Sequence, residues 1–192
     1  NDGDRIAINT PVFTPYIQIP RLSNFDLAEI DLQAREENQW HIPDSEFEKL
    51  LDPSVKAFIL VNPSNPGSRS LTDENLEQLR KVVVKRPDLI IITDDVYGTF
   101  VNGFRTVYSV CPRNTILVYS YSKLYGVTGW RLGVIAINED NVFDELIKKL
   151  PEKKKKELEE ILYFLRQEKE KEEIEEELEE EKELEETKGK NR

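Results

Sequence analysis

Three short stretches carry side chains whose types and spacing could do chemistry. In SYSKLYGVTGWRLG, residues 120–133, Lys123 follows Ser120 and Ser122 and precedes Arg131 by eight residues. A lysine held away from water loses its proton near neutral pH and condenses with an aldehyde, while hydroxyls and a planar guanidinium are the donors a phosphate needs. In TDDVYGTF, residues 93–100, Asp94 and Tyr97 could converge on a flat heteroaromatic ring. There a carboxylate keeps a ring nitrogen protonated and a phenol donates to a ring oxygen. In NPSNPG, residues 62–67, two prolines fix the backbone and Gly67 is free to take positive φ, so the turn could hold Asn65 toward a ligand oxygen.

Each piece alone has a plainer reading. NPSNPG is a rigid strand-exit turn, Asp94 a helix cap or turn residue, and Lys123 a solvated lysine. Ser120 and Ser122 are strand-end polar residues and Arg131 a surface or ion-paired residue. Joined, the pieces describe a site for a phosphorylated aldehyde cofactor.

Such residues need a scaffold, and the chain supplies one. Short apolar and β-branched runs recur at 5–9, 25–32, 57–62, 89–94, 115–121 and 133–138. The runs AFILVN and LIIITD are nearly continuous, as strands buried on both faces are. Helical patterns lie between several of them: residues 72–85, with apolar Leu76, Leu79, Val82 and Val83 and a cap at Thr72 or Asp73, then 44–51 opening at Asp44 or Ser45, and 141–150 opening at Asn141. Alternating strands and helices predict an α/β fold, a three-layer α/β/α arrangement with a mainly parallel sheet. Chemistry in such sheets collects at the carboxyl ends of the strands, where all three stretches begin.

Charge divides the chain. Of 38 acidic and 27 basic residues, 17 acidic and 11 basic fall in 152–192, so we expect a partial cofactor-binding domain over 1–151 and a charged helical tail over 152–192. Glu, Lys and Leu favour helix in that tail, but Leu158, Ile161, Leu162, Leu165, Ile174, Leu178 and Leu184 do not sustain a heptad. Glu172 with Glu176, and Glu173 with Glu177, repel across a turn, which predicts a solvated, fraying helix. The net charge of −11 opposes binding to nucleic acid or anionic membranes. No apolar run is long enough to cross a bilayer and no signal-like segment opens the chain, so the expectation is a soluble, cytoplasmic protein. A single cysteine, Cys111, excludes an internal disulfide and a cysteine zinc cluster, and no metal is expected. The chain opens at Asn1 and contains no methionine, which reads as a fragment of a longer protein.

NPSNPG, TDDVY and SYSKLYGVTGWRLG, in this order, resemble the signature elements of the fold type I pyridoxal-phosphate enzymes, the aspartate aminotransferase superfamily. The wider wording INTPVFTPY, LIIITDDVYGTF and VYSYSKLYGVTGWRLGV is similar to the aspartate 4-decarboxylase branch, whose members also have aspartate aminotransferase activity. The resemblance covers about residues 1–160 and implies pyridoxal 5′-phosphate as cofactor. It implies that Lys123 forms the internal aldimine and shuttles the substrate's α-proton, and that Asp94 partners the pyridine nitrogen. Tyr97 and Asn65 would donate to the ring's phenolic oxygen, with Asn65 also near the substrate carboxylate. Ser120, Ser122 and Arg131 would cradle the phosphate, and Phe13 in PVFTPY would stack on the ring. The implied reaction removes the β-carboxylate of aspartate as carbon dioxide and leaves alanine, with transamination as a side activity.

The resemblance also implies parts that are not matched here: a glycine-containing phosphate loop, an arginine gripping the substrate's α-carboxylate, and a second subunit of a homodimer or higher homo-oligomer. None of Arg21, Arg35, Arg69 and Arg105 matches that arginine. Another class I/II aminotransferase, or a catalytically inactive cofactor-binding or acidic interaction fragment, stands as the alternative. The remaining residues take plain roles: His41 as a surface residue, Cys111 as a packed thiol, and Trp40 and Trp130 as packing residues, Trp130 bordering the phosphate site.

Overall fold

The computed structural model describes residues 3–34, 40–160 and 163. They group into two compact units divided between Leu146 and Ile147. In the first unit six strands form one sheet: β1 (Arg5–Thr10), β2 (Asp26–Asp31), β5 (Val55–Val61), β6 (Ile90–Asp94), β7 (Thr115–Ser120) and β8 (Gly133–Ala136). Their spatial order is β2-β1-β5-β6-β7-β8, with every pair parallel except the antiparallel β7–β8 at the edge. The six expected strands are all present, with ends shifted by a few residues. A two-stranded pair that the pattern did not suggest, β3 (Gln33–Ala34) with β4 (Trp40–His41), stands outside the sheet. His41 is half-buried there rather than a surface residue.

Helix α3 (Asp73–Lys85) is the crossover between β5 and β6. Thr72 caps it through its side chain on the Asn75 N–H, and Asn75 answers on the Thr72 N–H, a reciprocal box worth about 1 kcal/mol. Leu76, Leu79 and Val82 bury one face. The 44–51 segment begins as α2 (Asp44–Phe47) and tightens into a 3₁₀ turn over Glu48–Leu51. Its cap position is Pro43, not Asp44 or Ser45, and the Asp44 carboxylate instead accepts from Gln78 on α3 at 2.7 Å. Helix α4 (Val142–Lys148) opens where Asn141 accepts the Asp144 N–H, as expected.

One helix is absent from the sequence-based expectation: α1 (Pro15–Leu22). Pro15 and Pro20 obscured it, yet Pro15 occupies the first turn, where a missing N–H is harmless. The two faces of the sheet are covered unequally. Ala7, Ala28, Ile30, Phe58, Leu60 and Ile91 join α2 and α3 in the main core. The alternate residues Ile8 and Val61 form a smaller cluster with Val12, against which Tyr16 and Ile17 of α1 pack. The strand runs AFILVN and LIIITD are therefore not buried on both faces along their length. Phe58 and Leu60 are buried while Ala57 and Ile59 are half-buried, and Ile91 and Thr93 alternate likewise with Ile90, Ile92 and Asp94.

Arg86 anchors the amino end of β5. Its guanidinium donates to the carbonyls of Leu50, Asp52 and Val55 and makes a two-pronged contact with Asp88. The opposite, carboxyl end of the strands is left to the loops that hold the candidate residues. In the second unit residues 152–160 are helical, with Lys154–Glu157 and Lys155–Glu152 ion pairs on its surface. The rest of the expected tail helix, apart from Tyr163, lies outside the described residues.

Candidate active site

Topology brings the three stretches together. Because β1, β5, β6 and β7 are parallel neighbours, their carboxyl ends form one edge of the sheet. Along it follow Phe13 after β1, Asn65 after β5, Asp94 and Tyr97 at β6, and Ser120, Ser122 and Lys123 at β7. Arg131 reaches the same edge from the other side of a reversal: β8 runs antiparallel, and Gly133 pairs with Ser120.

The Asn62–Gly67 loop is built on its own polar groups. The Asn62 side chain accepts the Leu71 N–H at 2.9 Å, and the Ser64 hydroxyl accepts the Arg69 N–H at 3.2 Å. Both Asn62–Pro63 and Asn65–Pro66 are cis. Gly67 does not take the positive φ expected of it; Ser68 does, at 54°. A Cβ at Gly67 would lie 2.6 Å from the Ser64 hydroxyl, so a side chain there would turn that hydroxyl away from the Arg69 N–H. Asn65 and Tyr97, both half-buried, line a common cleft of about 400 Å³ with Pro63, Ser64, Ser68, Phe100 and Val101.

At β6, the Asp94 carboxylate accepts the Val96 N–H on Oδ1 at 3.1 Å and the Tyr16 hydroxyl on Oδ2 at 2.6 Å. Burial, and then the bond to Asp94, push the Tyr16 phenol far above its ordinary value, so it remains a donor. Asp94 is thus no helix cap, and its bond to the N–H two residues on is that of the turn residue in its plainer reading. Its neighbour Asp95 points inward: it is buried and accepts from Thr93 at 2.5 Å, and among the described residues its second oxygen has no partner at hydrogen-bond distance. Burial raises the Asp95 pKa.

At β7, the Ser120 and Ser122 hydroxyls are 2.9 Å apart, and Ser120 also accepts the Ser122 N–H. The Ser122 carbonyl accepts from Thr128, which folds residues 123–127 into a loop. Two adjacent hydroxyls with Ser122 buried form a small donor set that suits a phosphate. Lys123 and Arg131 project from this loop exposed. Among the described residues the desolvated setting expected for Lys123 is not formed and Arg131 has no ion-pair partner; Arg131 donates to the Thr128 carbonyl at 3.4 Å from a left-handed backbone with φ of 50°. Phe13 is 53% exposed beside this edge, so it is not a core residue. Trp130, at 75% exposed, is not a packing residue.

The set of side chains fits pyridoxal 5′-phosphate: a carboxylate to accept from the ring nitrogen, an amide and a phenol lining one cleft, paired hydroxyls, a guanidinium and an amine. Among the described residues no cluster of three His, Cys, Asp or Glu could hold a metal, and no helix is long and apolar enough to cross a membrane.

The model of the aminotransferase class I and II family matches residues 1–153. The chain belongs to that family. Over 158 residues it is 55% identical to a bifunctional aspartate aminotransferase and L-aspartate beta-decarboxylase of a Pseudomonas species, which covers 82% of this chain and 30% of that protein. An aromatic aminotransferase of Pyrococcus horikoshii OT3 superposes with a TM-score of 0.61 at 32% identity, covering 72% of this chain and 38% of its own. Cystalysin from Treponema denticola, whose structure contains pyridoxal 5′-phosphate, superposes with a TM-score of 0.64 at 25% identity, over 72% of this chain and 36% of its own. The mainly parallel sheet with flanking helices is that of these aminotransferase-family proteins. The chain spans about a third of the length of the relatives it matches.

Tyr16 is the residue of this edge that the motifs did not reveal. It lies 78 positions from Asp94. The only signal was its place in PVFTPY, three residues after Phe13 and just inside a helix start.

Proposed function

We propose that this chain is the cofactor-holding part of a pyridoxal-phosphate enzyme acting on aspartate, which releases the β-carboxylate as carbon dioxide and leaves alanine. Aminotransfer from aspartate is the second activity. The observation that carries the reading is the succession of Asn65, Asp94–Tyr97 and Ser120–Ser122–Lys123 along adjacent strand ends. The 55% identity to the Pseudomonas protein supports aspartate and decarboxylation over other class I and II chemistries.

When bound, the cofactor's aldehyde and protonated ring supply a covalent anchor for the amino group and an electron sink. Asp94 holds the proton at the ring nitrogen, with Val96 and Tyr16 fixing its two oxygens. Tyr97 and Asn65 donate to the ring's phenolic oxygen, and Asn65 also meets the substrate carboxylate. Ser120, Ser122 and Arg131 hold the phosphate. Phe13, exposed beside this edge, covers the ring face. Lys123 is the amine that ties the cofactor to the chain and moves the proton at the substrate's Cα. The exposure of Lys123 suits a site completed by further protein, a homodimer or higher homo-oligomer in the whole enzyme. A monomer by sedimentation of the whole active enzyme would refute that assembly.

The test is addition of pyridoxal 5′-phosphate to the purified chain, borohydride reduction, and location of the modified lysine by peptide mass. Label confined to Lys123 and abolished in Lys123→Ala is expected. Label scattered over 153–190 and unchanged in the variant would overturn the assignment. The isolated chain is expected to release negligible carbon dioxide from aspartate, and turnover at ordinary enzyme rates would show that it is a complete catalyst.

A further inference from the structure

Asp94 receives one hydrogen bond on each carboxylate oxygen, and the two donors come from different parts of the fold. Val96, just past β6, donates a backbone N–H to Oδ1. Tyr16, on the first turn of α1 after β1, donates its phenol to Oδ2 at 2.6 Å. That distance is in the range of short O–H···carboxylate bonds, about twice as strong as neutral ones. A carboxylate oxygen accepts in two directions, so each oxygen keeps one free lone pair while rotation of the group about its last bond is blocked.

The rest of Tyr16 explains how the phenol is held. Its ring packs against the cluster of Ile8, Val12 and Val61 on the thinly covered face of the sheet. A phenyl ring would serve that packing equally well. The hydroxyl donates to Asp94, and burial with that bond keeps it protonated.

We propose that Tyr16 is a positioning residue whose phenol fixes the rotation of the Asp94 carboxylate so that a free lone pair faces the nitrogen of a bound pyridine ring. The inference rests on the reading of Asp94 given under the proposed function. It extends the site from the strand ends to α1 and makes the β1–α1 connection, which also bears Phe13, a determinant of cofactor binding as well as of packing.

The test measures cofactor affinity and a spectroscopic pH titration on the full 192-residue chain, in the wild type, Tyr16→Phe, Asp94→Asn and Val12→Ala. A protonated ring nitrogen lowers the proton affinity of the nitrogen joining lysine to cofactor. If Asp94 turns away, the ring proton is lost and the absorbance change moves to higher pH. Tyr16→Phe, which removes one oxygen and keeps the ring, is expected to weaken pyridoxal 5′-phosphate binding about tenfold and to raise the absorbance midpoint by about one pH unit, in the direction of Asp94→Asn. Val12→Ala, a packing change in the same cluster, is expected to lower stability with no change in the midpoint. Four results would overturn the inference. A wild-type response in Tyr16→Phe beside a shifted Asp94→Asn would remove Tyr16 while leaving the role of Asp94 intact. An equal shift in Val12→Ala would reduce Tyr16 to packing. No effect of Asp94→Asn, or no cofactor uptake by the wild type, would overturn the underlying reading and this inference with it.

Discussion

The backbone N–H of Asn62 donates to the carbonyl of Asp94 at 2.9 Å, joining the loop that carries Asn65 to the strand end that carries Asp94 and Tyr97. This bond continues the β5–β6 ladder, in which Val61 pairs with Asp94, by one residue beyond the strand. The same asparagine then uses its side-chain oxygen to hold Leu71 N–H, closing the far end of the loop.

Asn62→Ala therefore removes the acceptor of a partly buried N–H while leaving the backbone bond to Asp94 available. A loss of about 1–3 kcal/mol is expected, the cost of leaving a buried amide unpaired, read from the urea midpoint. Weaker cofactor binding should accompany it, because the loop that aims Asn65 loosens. An unchanged midpoint would show that water replaces the side chain.

Gly133 faces Ser120 across the reversal that returns Arg131 to the site, and a Cβ there would stand 2.8 Å from the Tyr119 carbonyl oxygen. The obstacle is backbone, so β7 and β8 must separate. Gly133→Ala is expected to destabilise by about 1–3 kcal/mol and to impair Lys123 labelling more than it impairs folding. Wild-type labelling in this variant would show that the 121–132 loop does not depend on the hairpin's close approach.

Burial of Asp95 raises its pKa in the folded chain. The sign follows from linkage: ionisation costs more in the folded state, so this group's contribution is best below its unfolded pKa and is lost as pH rises through the folded one. Asp95→Asn abolishes that dependence. Relative to wild type, the variant should gain stability on going from pH 4 to pH 7, measured by urea unfolding at both. A difference that does not change with pH would mean that the unpartnered oxygen is solvated.

Cys111 is 3% exposed, and burial pushes its thiol up to about 12. A thiolate is the reactive form, so a disulfide reagent at pH 8 should modify the native chain no faster than it unfolds. Fast labelling under native conditions would contradict the burial of this thiol.

Legibility differed from element to element for physical reasons. Strands β5 and β6 were readable because their apolar, β-branched runs are nearly continuous, and helix α3 because its 3.6-residue period is clear and it carries its cap in Thr72. Helix α1 was not, because two prolines in eight residues resemble a loop unless one knows that Pro15 falls in the first turn. Trp130 was misread because an aromatic residue is expected to bury its area, and only the geometry of the 121–132 loop leaves it in solvent.

The sequence by itself determined the chemistry of the edge: an amine beside two hydroxyls, an Asp–x–x–Tyr pair and a proline-braced asparagine, each at a strand end, since residue types and local spacing are local properties. Only the tertiary structure decided which of these groups become neighbours and what holds them. The order β1-β5-β6-β7 aligns them, and the reversal into β8 returns Arg131. The Tyr16–Asp94 bond spans 78 residues, and no local pattern encodes a contact that exists only once β1 and β6 lie in one sheet with α1 packed across its face.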